Sequence, residues 1–217
     1  MIPTAAQNFA EAYSSSVAEL LEKGALVEAV GDSLSPGSRF GTQVRRTIEL
    51  TTHAFEFDSS LSCLFSNPLR RVRLPYCYGL LLWSLSGSTD VQSLSYYHDG
   101  AASFADCPSQ MSGAFGHRIF QAHGNQIAAI AERLRSDQNS RRTTCIVAFP
   151  EDNFRYTREY PCAIACHYMI RNDFLRALTF MRSQSALMVL PYDVSSFVAC
   201  SYILPQSLKL LLVRTHM

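Results

Sequence analysis

The amino-acid sequence predicts an α+β fold in which helices cover one face of a large mixed sheet. Two observations carry this prediction. Helix-like and strand-like segments are mixed along the 217 residues without the regular alternation that a parallel βαβ sheet requires. Three strand candidates also follow one another directly, between an amphipathic helix and a final apolar helix. We expect residues 1–217 to form a single domain.

Three segments in the first half of the chain have a clear local preference. Residues 4–23 predict a helix because alanine and leucine recur along one face, and Gly24 is placed to end it. Residues 42–57 are rich in threonine, valine, isoleucine and phenylalanine with partial alternation, which predicts a strand or a pair of strands. Residues 75–87 predict a mostly buried helix that a proline opens and a glycine closes.

The second half begins with a segment of weak periodicity and then becomes strongly patterned. Residues 92–118 contain many turn-forming residues, so we expect irregular structure near a site or a surface. Apolar residues then repeat at helical spacing within residues 125–137, behind Asn125 as an N-terminal cap. Strand candidates follow at residues 143–150, 162–170 and 174–181, and a final apolar helix begins near residue 191.

The charge and hydropathy of the chain exclude several classes of function. The net charge is +1, which gives no overall attraction to nucleic acid or to a membrane surface. The longest apolar runs are far shorter than the roughly 20 residues that a membrane span needs, and the N-terminus lacks the pattern of a secretory signal. We therefore expect a cytoplasmic protein with neither kind of partner.

The seven cysteines are odd in number, scattered and mostly set in apolar runs, which is typical of reduced thiols rather than of a disulfide framework. Cys162, Cys166 and His167 are close enough in sequence to suggest a metal site. In a strand, however, the two cysteines share one face while the histidine points to the other, and no second Cys/His pair follows at zinc spacing. We expect no metal.

Several polar residues stand at the ends of the predicted elements, and each has a structural as well as a functional interpretation. Arg141 and Arg142 precede a strand, where they either bind a phosphate or a second subunit or lie in a solvated turn. Arg182 and Ser183 follow a strand, where a guanidinium, a hydroxyl and a backbone amide can together bind phosphate. Cys162 follows a proline, either as a nucleophile or as one more small buried side chain.

Taken in order, five motifs resemble those of the thymidylate synthases, and they resemble the related nucleotide hydroxymethylases more closely still. The resemblance runs from about Arg39 to Phe197, and five ordered matches are far more specific than any one of them. It implies a single α+β domain whose large sheet packs against that of a second copy in an obligate homodimer. The motifs are "LLLWSLSGSTDVQSL", "GAFGHRIF", "NQIAAIAERLRSDQNSRR", "YPCAIACHYMI" and "MRSQSALMVLPYDVSSF".

The resemblance implies a catalytic role for Cys162, which stands at the cysteine of the family's Pro-Cys pair. In the family this cysteine attacks C6 of a pyrimidine nucleotide, and C5 then accepts a one-carbon unit from 5,10-methylenetetrahydrofolate. C5 is a poor nucleophile until a thiolate has broken the conjugation of the ring. Because a thiolate requires nearby positive charge, Arg182 is a candidate to lower the pKa of Cys162.

The resemblance also implies a phosphate site that two chains share. Arg182 and Ser183 match the family's phosphate-binding Arg-Ser pair, while Arg141 and Arg142 match the arginines that reach across the dimer to the phosphate of the partner. Arg39 resembles, more loosely, a loop arginine that closes on the same phosphate. The substrate implied is a pyrimidine nucleoside monophosphate.

Three further positions bear on the base and the folate. Asp193 stands where thymidylate synthases carry an asparagine and where the hydroxymethylases that act on cytosine nucleotides carry aspartate. A carboxyl group can accept from the cytosine amino group and, when protonated, donate to a ring nitrogen, so Asp193 favours cytidine monophosphate. Its structural alternative is a helix cap. The resemblance further implies that Trp83 and Tyr192 contact the folate.

The chain departs from the family at positions that matter for catalysis. Leu80 replaces the glutamate that acts as general acid and base, and Ser185 replaces an aspartate used in contacting folate. Three functions therefore stay open: a cytidylate hydroxymethylase or methyltransferase of nucleoside biosynthesis, a degenerate relative that binds a nucleotide or a partner subunit, and an enzyme that uses another donor. If the chain is active, Asp90 or Asp99 is the first candidate to replace the missing carboxylate.

Overall fold

A computed structural model of the chain describes residues 4–30, 44–59, 67, 70–208 and 213–216. Within these ranges, eight strands form two sheets. The strands are β1 (Thr4–Ala6), β2 (Ala25–Val30), β3 (Val44–Glu49), β4 (Phe55–Asp58), β5 (Thr144–Ile146), β6 (Ala163–Arg171), β7 (Phe174–Met181) and β8 (Val213–His216). The larger sheet has the order β1-β4-β8-β7-β6-β5, and β2 pairs with β3 in a separate antiparallel sheet. The larger sheet is mixed because the β1/β4 and β7/β8 pairs are parallel and the others antiparallel.

Six α-helices lie in the described ranges, together with two short 3₁₀ segments at Ala101–Phe104 and Pro150–Phe154. None of these helices is long and apolar enough to cross a membrane. The α-helices are α1 (Phe9–Lys23), α2 (Leu74–Leu85), α3 (Val91–Ser95), α4 (Phe115–Phe120), α5 (Gln126–Ser136) and α6 (Leu190–Leu208).

Helix α5 confirms the clearest prediction from the sequence. The side chain of Asn125 accepts a hydrogen bond from the backbone N–H of Ala128 at 2.9 Å, which satisfies one of the open donors at the helix start. The apolar residues at helical spacing are buried, and they face β5 to β7 together with residues of α6. The three successive strand predictions are confirmed as β5, β6 and β7.

The prediction that a helix starts at residue 4 is wrong. Helix α1 starts at Phe9, because Asn8 is extended and its side chain accepts from the backbone N–H of Glu11 at 3.0 Å. The residues before it form β1, which pairs in parallel with β4. An alanine-rich tripeptide gives no local signal for a strand, so the pairing with a distant segment decides its conformation.

Residues 92–118 are more regular than predicted. They contain most of α3, a 3₁₀ segment and the first residues of α4, so the expectation of irregular structure is wrong for these segments and holds for residues 96–100 and 105–114. Helix α3 is five residues long and α4 is six, which is too short for a periodic pattern to appear in the sequence. Asp90 caps α3 by accepting from the backbone N–H groups of Gln92 and Ser93.

The strands also pair differently from what their order in the sequence suggests. Residues 42–57 do contain two strands, but β3 pairs with β2 while β4 belongs to the larger sheet. Strand β8 lies between β4 and β7, although residues 213–216 show no alternation that would have predicted it. Both of its neighbours are distant in sequence, so its position depends on tertiary pairing.

Helices cover one face of the larger sheet. Helix α6 lies between the two main clusters of buried residues, since one side packs on β5 to β7 with α5 and the other on β4 with α1. The opposite face of the sheet carries exposed apolar side chains beside polar ones, such as the paired Arg176 and Glu56. Its side chains include Ile146, Ile164 and Phe180, which are 43%, 43% and 50% exposed. Exposed apolar side chains on one face of a sheet are typical of a surface that another protein covers.

A buried ion pair joins α4 to the segment that follows β5. The guanidinium of Arg118 donates to both carboxylate oxygens of Asp152, at 2.6 and 2.8 Å, and also to the backbone carbonyls of Ser112 and Val147. Burial raises the pKa of Asp152, but the bonds from Arg118 outweigh it and leave the pKa below its ordinary value. A buried pair of this geometry is costly to break from one side.

Asp152→Asn is therefore expected to destabilise the chain by about 3 kcal/mol, because it leaves the buried charge of Arg118 without its counter-ion. The measurement is the free energy of unfolding from urea titrations at pH 7. The matched control is Glu132→Gln, which breaks the exposed Arg135–Glu132 pair and should cost below about 0.5 kcal/mol. Equal losses in the two variants would contradict this account.

Candidate active site

Cys162 lies where the first residues of β6 meet the end of β7. It directly precedes β6, and the register of the β6/β7 pair shifts between Ala163 and Ala165. The backbone N–H of Arg182 donates to the carbonyl of Cys162 at 2.8 Å. Because these strands are antiparallel, the residue that enters one and the residue that leaves the other become neighbours. The sheet therefore places a cysteine and an arginine together from positions 20 residues apart.

The guanidinium of Arg182 is held in place by the segment that leads to Cys162. Its Nε donates to the carbonyl of Pro161 at 2.9 Å, and its Nη2 donates to the carbonyl of Tyr160 at 3.0 Å. The ring of Tyr160 lies under the guanidinium, 4.7 Å from its centroid. In this position Nη2 is 3.9 Å from Cys162 Sγ. The charge of the arginine is thus fixed beside the thiol.

The thiol of Cys162 is half-buried, and its surroundings act on its pKa in opposite directions. Burial raises the pKa, Arg182 lowers it, and the nearby carboxylate of Asp193 raises it, with a net shift upward. Arg182 is therefore the group that favours the thiolate here, but it does not outweigh burial in the free protein. A further positive charge, or withdrawal of the proton by another group, would complete the activation of this sulfur.

Asp193 lies in the first turn of α6 and is only 8% exposed. Its Oδ2 accepts from the side-chain amide of Gln184 at 2.9 Å, rather than from a backbone N–H as a helix cap would. Burial raises the pKa of Asp193 to about 6, against a smaller lowering by Gln184. A carboxyl group with this pKa can be present in either protonation state near neutral pH.

The two residues predicted to contact folate are largely packed inside the protein. The hydroxyl of Tyr192 accepts from the backbone N–H of Arg73 at 3.1 Å, and its ring lies 4.9 Å from that of Tyr76. The indole N–H of Trp83 donates to the carbonyl of Asp90 at 2.8 Å. Tyr192 is 6% exposed and Trp83 is 8% exposed. Their role toward a folate stays a prediction.

Of the predicted phosphate ligands that the structure describes, only Ser183 lies beside Arg182 within one chain. Ser183 is exposed and follows Arg182 directly, whereas Arg39 lies outside the described residues. Arg141 and Arg142 are exposed, and neither guanidinium has a hydrogen-bond partner in the described part of the chain.

These two arginines are far from the cysteine of their own chain. Thr143, which follows Arg142, bonds to Tyr168 across the β5/β6 pair. Tyr168 is six residues along the strand from Cys162, which is about 20 Å at ~3.3 Å per residue. Arg142 therefore lies at the opposite end of β6 from the thiol.

The acidic group that the family pattern requires has no replacement at Leu80. Leu80 packs against the apolar cluster that contains Trp83. Asp90 is not free to take its place, because both of its carboxylate oxygens accept hydrogen bonds at the start of α3. Asp99 is exposed, and no contact brings it toward Cys162 among the described residues.

The metal alternative finds no geometric support in the described ranges. No three His, Cys, Asp or Glu side chains cluster there as metal ligands. Cys166 is buried against Thr179, while His167 contacts the hydroxyl of Thr144. The two side chains lie on opposite faces of β6, as the alternation of a strand requires.

Several polar residues near the site were not predicted from the sequence. Glu159 is buried three residues before Cys162, and it faces a cavity of about 410 Å³ next to the Arg118–Asp152 pair. The hydrogen bonds of Glu159 to Asp106 and Gly113 and of Arg118 to Asp152 join residues that are 34 to 53 positions apart, so no local spacing could have shown them. The cavity is lined by Asp106, Ser112, Arg118, Asp152, Arg155, Tyr156, Thr157 and Glu159.

The sequence of the chain also matches a known protein family. The family model described as thymidylate synthase matches residues 11–214. The chain is similar to the thymidylate synthase of Francisella philomiragia, with 26% identity over an alignment of 187 residues, and the match covers 76% of this chain and 67% of that protein. It is also similar to the thymidylate synthase of Enterobacteria phage T4, with 22% identity over an alignment of 152 residues, and that match covers 62% of this chain and 53% of that protein.

The fold is similar to that of a solved structure, the thermostable thymidylate synthase A from Bacillus subtilis. The TM-score is 0.73 at 16% sequence identity, and the match covers 94% of this chain and 75% of that one. At this identity the similarity concerns the fold alone. The matched part spans between about half and two thirds of the length of the curated relatives.

The burial of Asp193 predicts a dependence of stability on pH. Its pKa in the fold is about 6 against an ordinary value of 3.8, so the fold holds a proton that the unfolded chain releases between these values. The stabilisation from this proton is complete below about pH 4 and is lost as the pH rises through about 6. Asp193→Asn carries no charge at either pH and escapes the loss.

We expect the free energy of unfolding of Asp193→Asn, relative to the wild type, to rise by up to about 3 kcal/mol between pH 4 and pH 7.5. Urea titrations at the two pH values measure it. Asp173→Asn, in the exposed turn between β6 and β7, is the control with the same change of charge. A constant difference for Asp193→Asn across this range would show that its carboxyl is not buried as described.

Proposed function

This chain belongs to the thymidylate synthase family, and on that premise we propose that it transfers a one-carbon unit from 5,10-methylenetetrahydrofolate to C5 of a pyrimidine nucleoside monophosphate. The observation that carries the proposal is the position of Arg182 Nη2, 3.9 Å from Cys162 Sγ. It places a fixed positive charge beside a thiol that stands at the family's nucleophile position. A small apolar cysteine within a sheet would have no need of such a partner.

The chemistry follows from the properties of the thiolate. Sγ of Cys162 forms a bond to C6, and the electron pair of the C5–C6 double bond moves to C5, which becomes nucleophilic. When bound, the folate supplies the one-carbon unit that C5 attacks. The C5 proton is then lost and the bond from the one-carbon unit to the folate nitrogen would break, so that tetrahydrofolate leaves. Addition of water to that carbon would give the hydroxymethyl product, and addition of a hydride from tetrahydrofolate would give the methyl product; in either case the C5–C6 double bond forms again and Cys162 leaves as a thiolate. The residue that takes the C5 proton is not Leu80, which has no acidic group.

The nucleotide phosphate binds at the end of β7 in this proposal. Nε and Nη2 of Arg182 are used by backbone carbonyls, while Nη1 has no partner in the described part of the chain. That amino group and the exposed hydroxyl of Ser183 can both donate to a phosphate oxygen. Arg39, on the segment outside the described residues, is proposed to close over the same group.

Arg141 and Arg142 are proposed to serve the site of a second copy. They lie about 20 Å along the sheet from their own Cys162, and their guanidinium groups are exposed. The exposed face that carries Ile146, Ile164 and Phe180 gives a surface on which two sheets can pack. A homodimer formed through this face is the proposed functional unit, with each active site shared between two chains.

Asp193 makes cytidine monophosphate the proposed substrate. Ionised, the carboxylate can accept from the cytosine amino group, and protonated, it can donate to the ring nitrogen beside that group. A pKa of about 6 makes both states accessible. Uracil presents a carbonyl and an N–H at the same edge, with which a protonated carboxyl group can also pair, so the preference for cytosine rests on the resemblance to the enzymes that carry aspartate at this position and act on cytosine nucleotides. The product carries a hydroxymethyl or a methyl group at C5.

A folate would contact the turn that leads into α6. Leu187 and Met188 are 59% and 71% exposed there, and their backbone carbonyls accept from the guanidinium of Arg70. Exposed apolar side chains on a backbone fixed in this way suit a planar ring system. Tyr192, one of the two residues expected at the folate, would support this turn from inside, because the guanidinium of Arg70 lies 5.7 Å from the centroid of its ring. The role of Trp83 toward the folate stays a prediction.

A second function is favoured by two specific substitutions. Leu80 and Ser185 remove two acidic groups that the family uses, so the chain can also be a degenerate member that binds a nucleotide or a partner subunit without one-carbon transfer. Ser185 here bonds only to the local turn, where its hydroxyl accepts from the backbone N–H of Met188. The expected location in the cytoplasm stays a prediction under either function.

Release of tritium from C5 of the nucleotide separates these functions. The wild-type chain should release tritium from [5-³H]cytidine monophosphate in the presence of the folate, because addition of Cys162 at C6 makes the C5 proton exchangeable. Cys162→Ser should lower the release by at least about 10³-fold. Cys107→Ser, which changes an exposed cysteine whose thiol contacts the hydroxyl of Ser109, should keep the wild-type rate.

Thermal melting in the same nucleotides completes this test. Stabilisation by cytidine monophosphate without tritium release would support the degenerate function and contradict the transferase. Equal release from uridine and cytidine monophosphates would contradict the role given to Asp193. Retained release in Cys162→Ser would overturn the nucleophile itself.

Mixing two inactive variants tests whether the sites are shared. Cys162→Ser lacks the nucleophile, and the double variant Arg141→Ala, Arg142→Ala lacks the phosphate contacts to the other copy. Random exchange of subunits makes half of the dimers mixed, and one of the two sites in each mixed dimer has all of its groups, so about a quarter of the wild-type rate should return. No recovery after verified exchange of subunits would contradict a shared site.

A further inference from the structure

Glu159 is a buried carboxylate that the proposed chemistry does not use. It is 8% exposed and accepts three hydrogen bonds, from the backbone N–H of Asp106 at 2.7 Å, the hydroxyl of Ser112 at 2.7 Å and the backbone N–H of Gly113 at 2.9 Å. Each partner is a donor on the segment before α4. A carboxylate, which only accepts, is the side chain that satisfies all three.

The segment before α4 also accepts hydrogen bonds from the residues next to Glu159, through the side chain of Asp106. The carboxylate of Asp106 accepts from the backbone N–H of Arg158 at 3.0 Å and from the hydroxyl of Thr157. The two segments also touch at Gly113, where an added Cβ would lie 2.1 Å from the carbonyl oxygen of Glu159. We call this set of contacts between residues 106–113 and 157–159 the Glu159 latch. It fixes the backbone on both sides of residue 159.

The residues that follow the latch hold the arginine of the active site. Tyr160 and Pro161 contribute the two carbonyls that accept from Arg182, and Cys162 comes next. The latch therefore fixes this short segment at residue 159, and the hydrogen bonds of Arg182 fix it at residues 160 and 161. If Glu159 releases its end, the two carbonyls are no longer fixed, and neither is the guanidinium that depends on them.

We propose that Glu159 is a positioning residue that keeps Arg182 beside Cys162 by fixing the carbonyls of Tyr160 and Pro161. The proposal rests on the assignment of Cys162 as the nucleophile. Glu159 acts through backbone and through Arg182, and it does not touch the thiol. Its effect on the reaction is therefore an effect on how readily Cys162 forms a thiolate.

The sign of this effect distinguishes positioning from simple electrostatics. Arg182 lowers the pKa of Cys162, so a released Arg182 makes the thiolate harder to form. Removing the negative charge of Glu159 without any movement of Arg182 would instead make the thiolate slightly easier to form. Glu159→Gln has almost the same shape, and it places an amide donor against N–H or O–H donors of the latch. It should therefore open the latch without leaving a void.

The experiment measures alkylation of Cys162 by iodoacetamide as a function of pH, without substrate. It uses the full chain with Cys107→Ser, so that the exposed thiol does not compete, and peptide mass spectrometry to follow Cys162. Glu159→Gln should move the midpoint of the rate profile to higher pH and lower the rate at pH 8 about fivefold, because the rate follows the fraction of thiolate. The Michaelis constant for the nucleotide should also rise, since Arg182 is the proposed phosphate ligand.

Asp106→Asn is the matched control, since it removes one negative charge from the same cavity. Its amide oxygen can still accept from the backbone N–H of Arg158, and its NH₂ group can donate to the hydroxyl of Thr157. The latch then stays closed, so the alkylation profile should stay within about 1.5-fold of that of the parent chain. A shift to higher pH of equal size in both variants would overturn the proposal.

A profile for Glu159→Gln that is unchanged, or that moves to lower pH, would overturn it as well. If Glu159→Gln does not fold, Ser112→Ala removes only one of the three bonds and should shift the profile in the same direction by a smaller amount. Because alkylation requires no nucleotide, the test is independent of turnover. Wild-type protein without tritium release but with the predicted alkylation shifts would overturn the transferase and leave the positioning role of Glu159 standing.

Discussion

The candidate active site depends on one contact, that of the Arg182 guanidinium with the backbone that enters β6. Its two hydrogen bonds to the carbonyls of Tyr160 and Pro161 fix a positive charge 3.9 Å from the sulfur of Cys162. The antiparallel β6/β7 pair makes this contact possible, because the start of one strand lies beside the end of the other. The buried polar residues that pack behind Tyr160 and Pro161 also hold this backbone in place, since each restricts the path of the chain before the cysteine.

The site balances burial against charge. Burial raises the pKa of Cys162 and of Asp193, while the charge of Arg182 lowers the pKa of Cys162. The free protein therefore holds a thiol whose pKa is raised in spite of Arg182 and a carboxyl group whose pKa is about 6. A nucleotide that brings its phosphate to Arg182 and its base to Asp193 would enter a site whose charges are already oriented. The energetic cost of orienting them is met during folding.

Much of the fold was predictable because it is local. Helix α5 repeats apolar residues every three or four positions, and β5 to β7 alternate or run apolar between turns, so periodicity shows them. Strands β1 and β8 were missed because pairing with distant strands, rather than their own residues, makes them extended. The site divides in the same way. Cys162, Arg182 and Asp193 belong to motifs, whereas Glu159 gains its partners only when a segment almost 50 residues away folds against it.

The central claim is that the sulfur of Cys162 adds to C6 of a pyrimidine nucleotide beside Arg182. The most direct test is a crystal structure of the chain with 5-fluorocytidine monophosphate and methylenetetrahydrofolate, because fluorine cannot leave C5 as a proton does. The account predicts continuous density from Cys162 Sγ to C6, with the phosphate in contact with Arg182 and Ser183. A nucleotide bound elsewhere, or bound here with its C6 remote from an unmodified thiol, would contradict it.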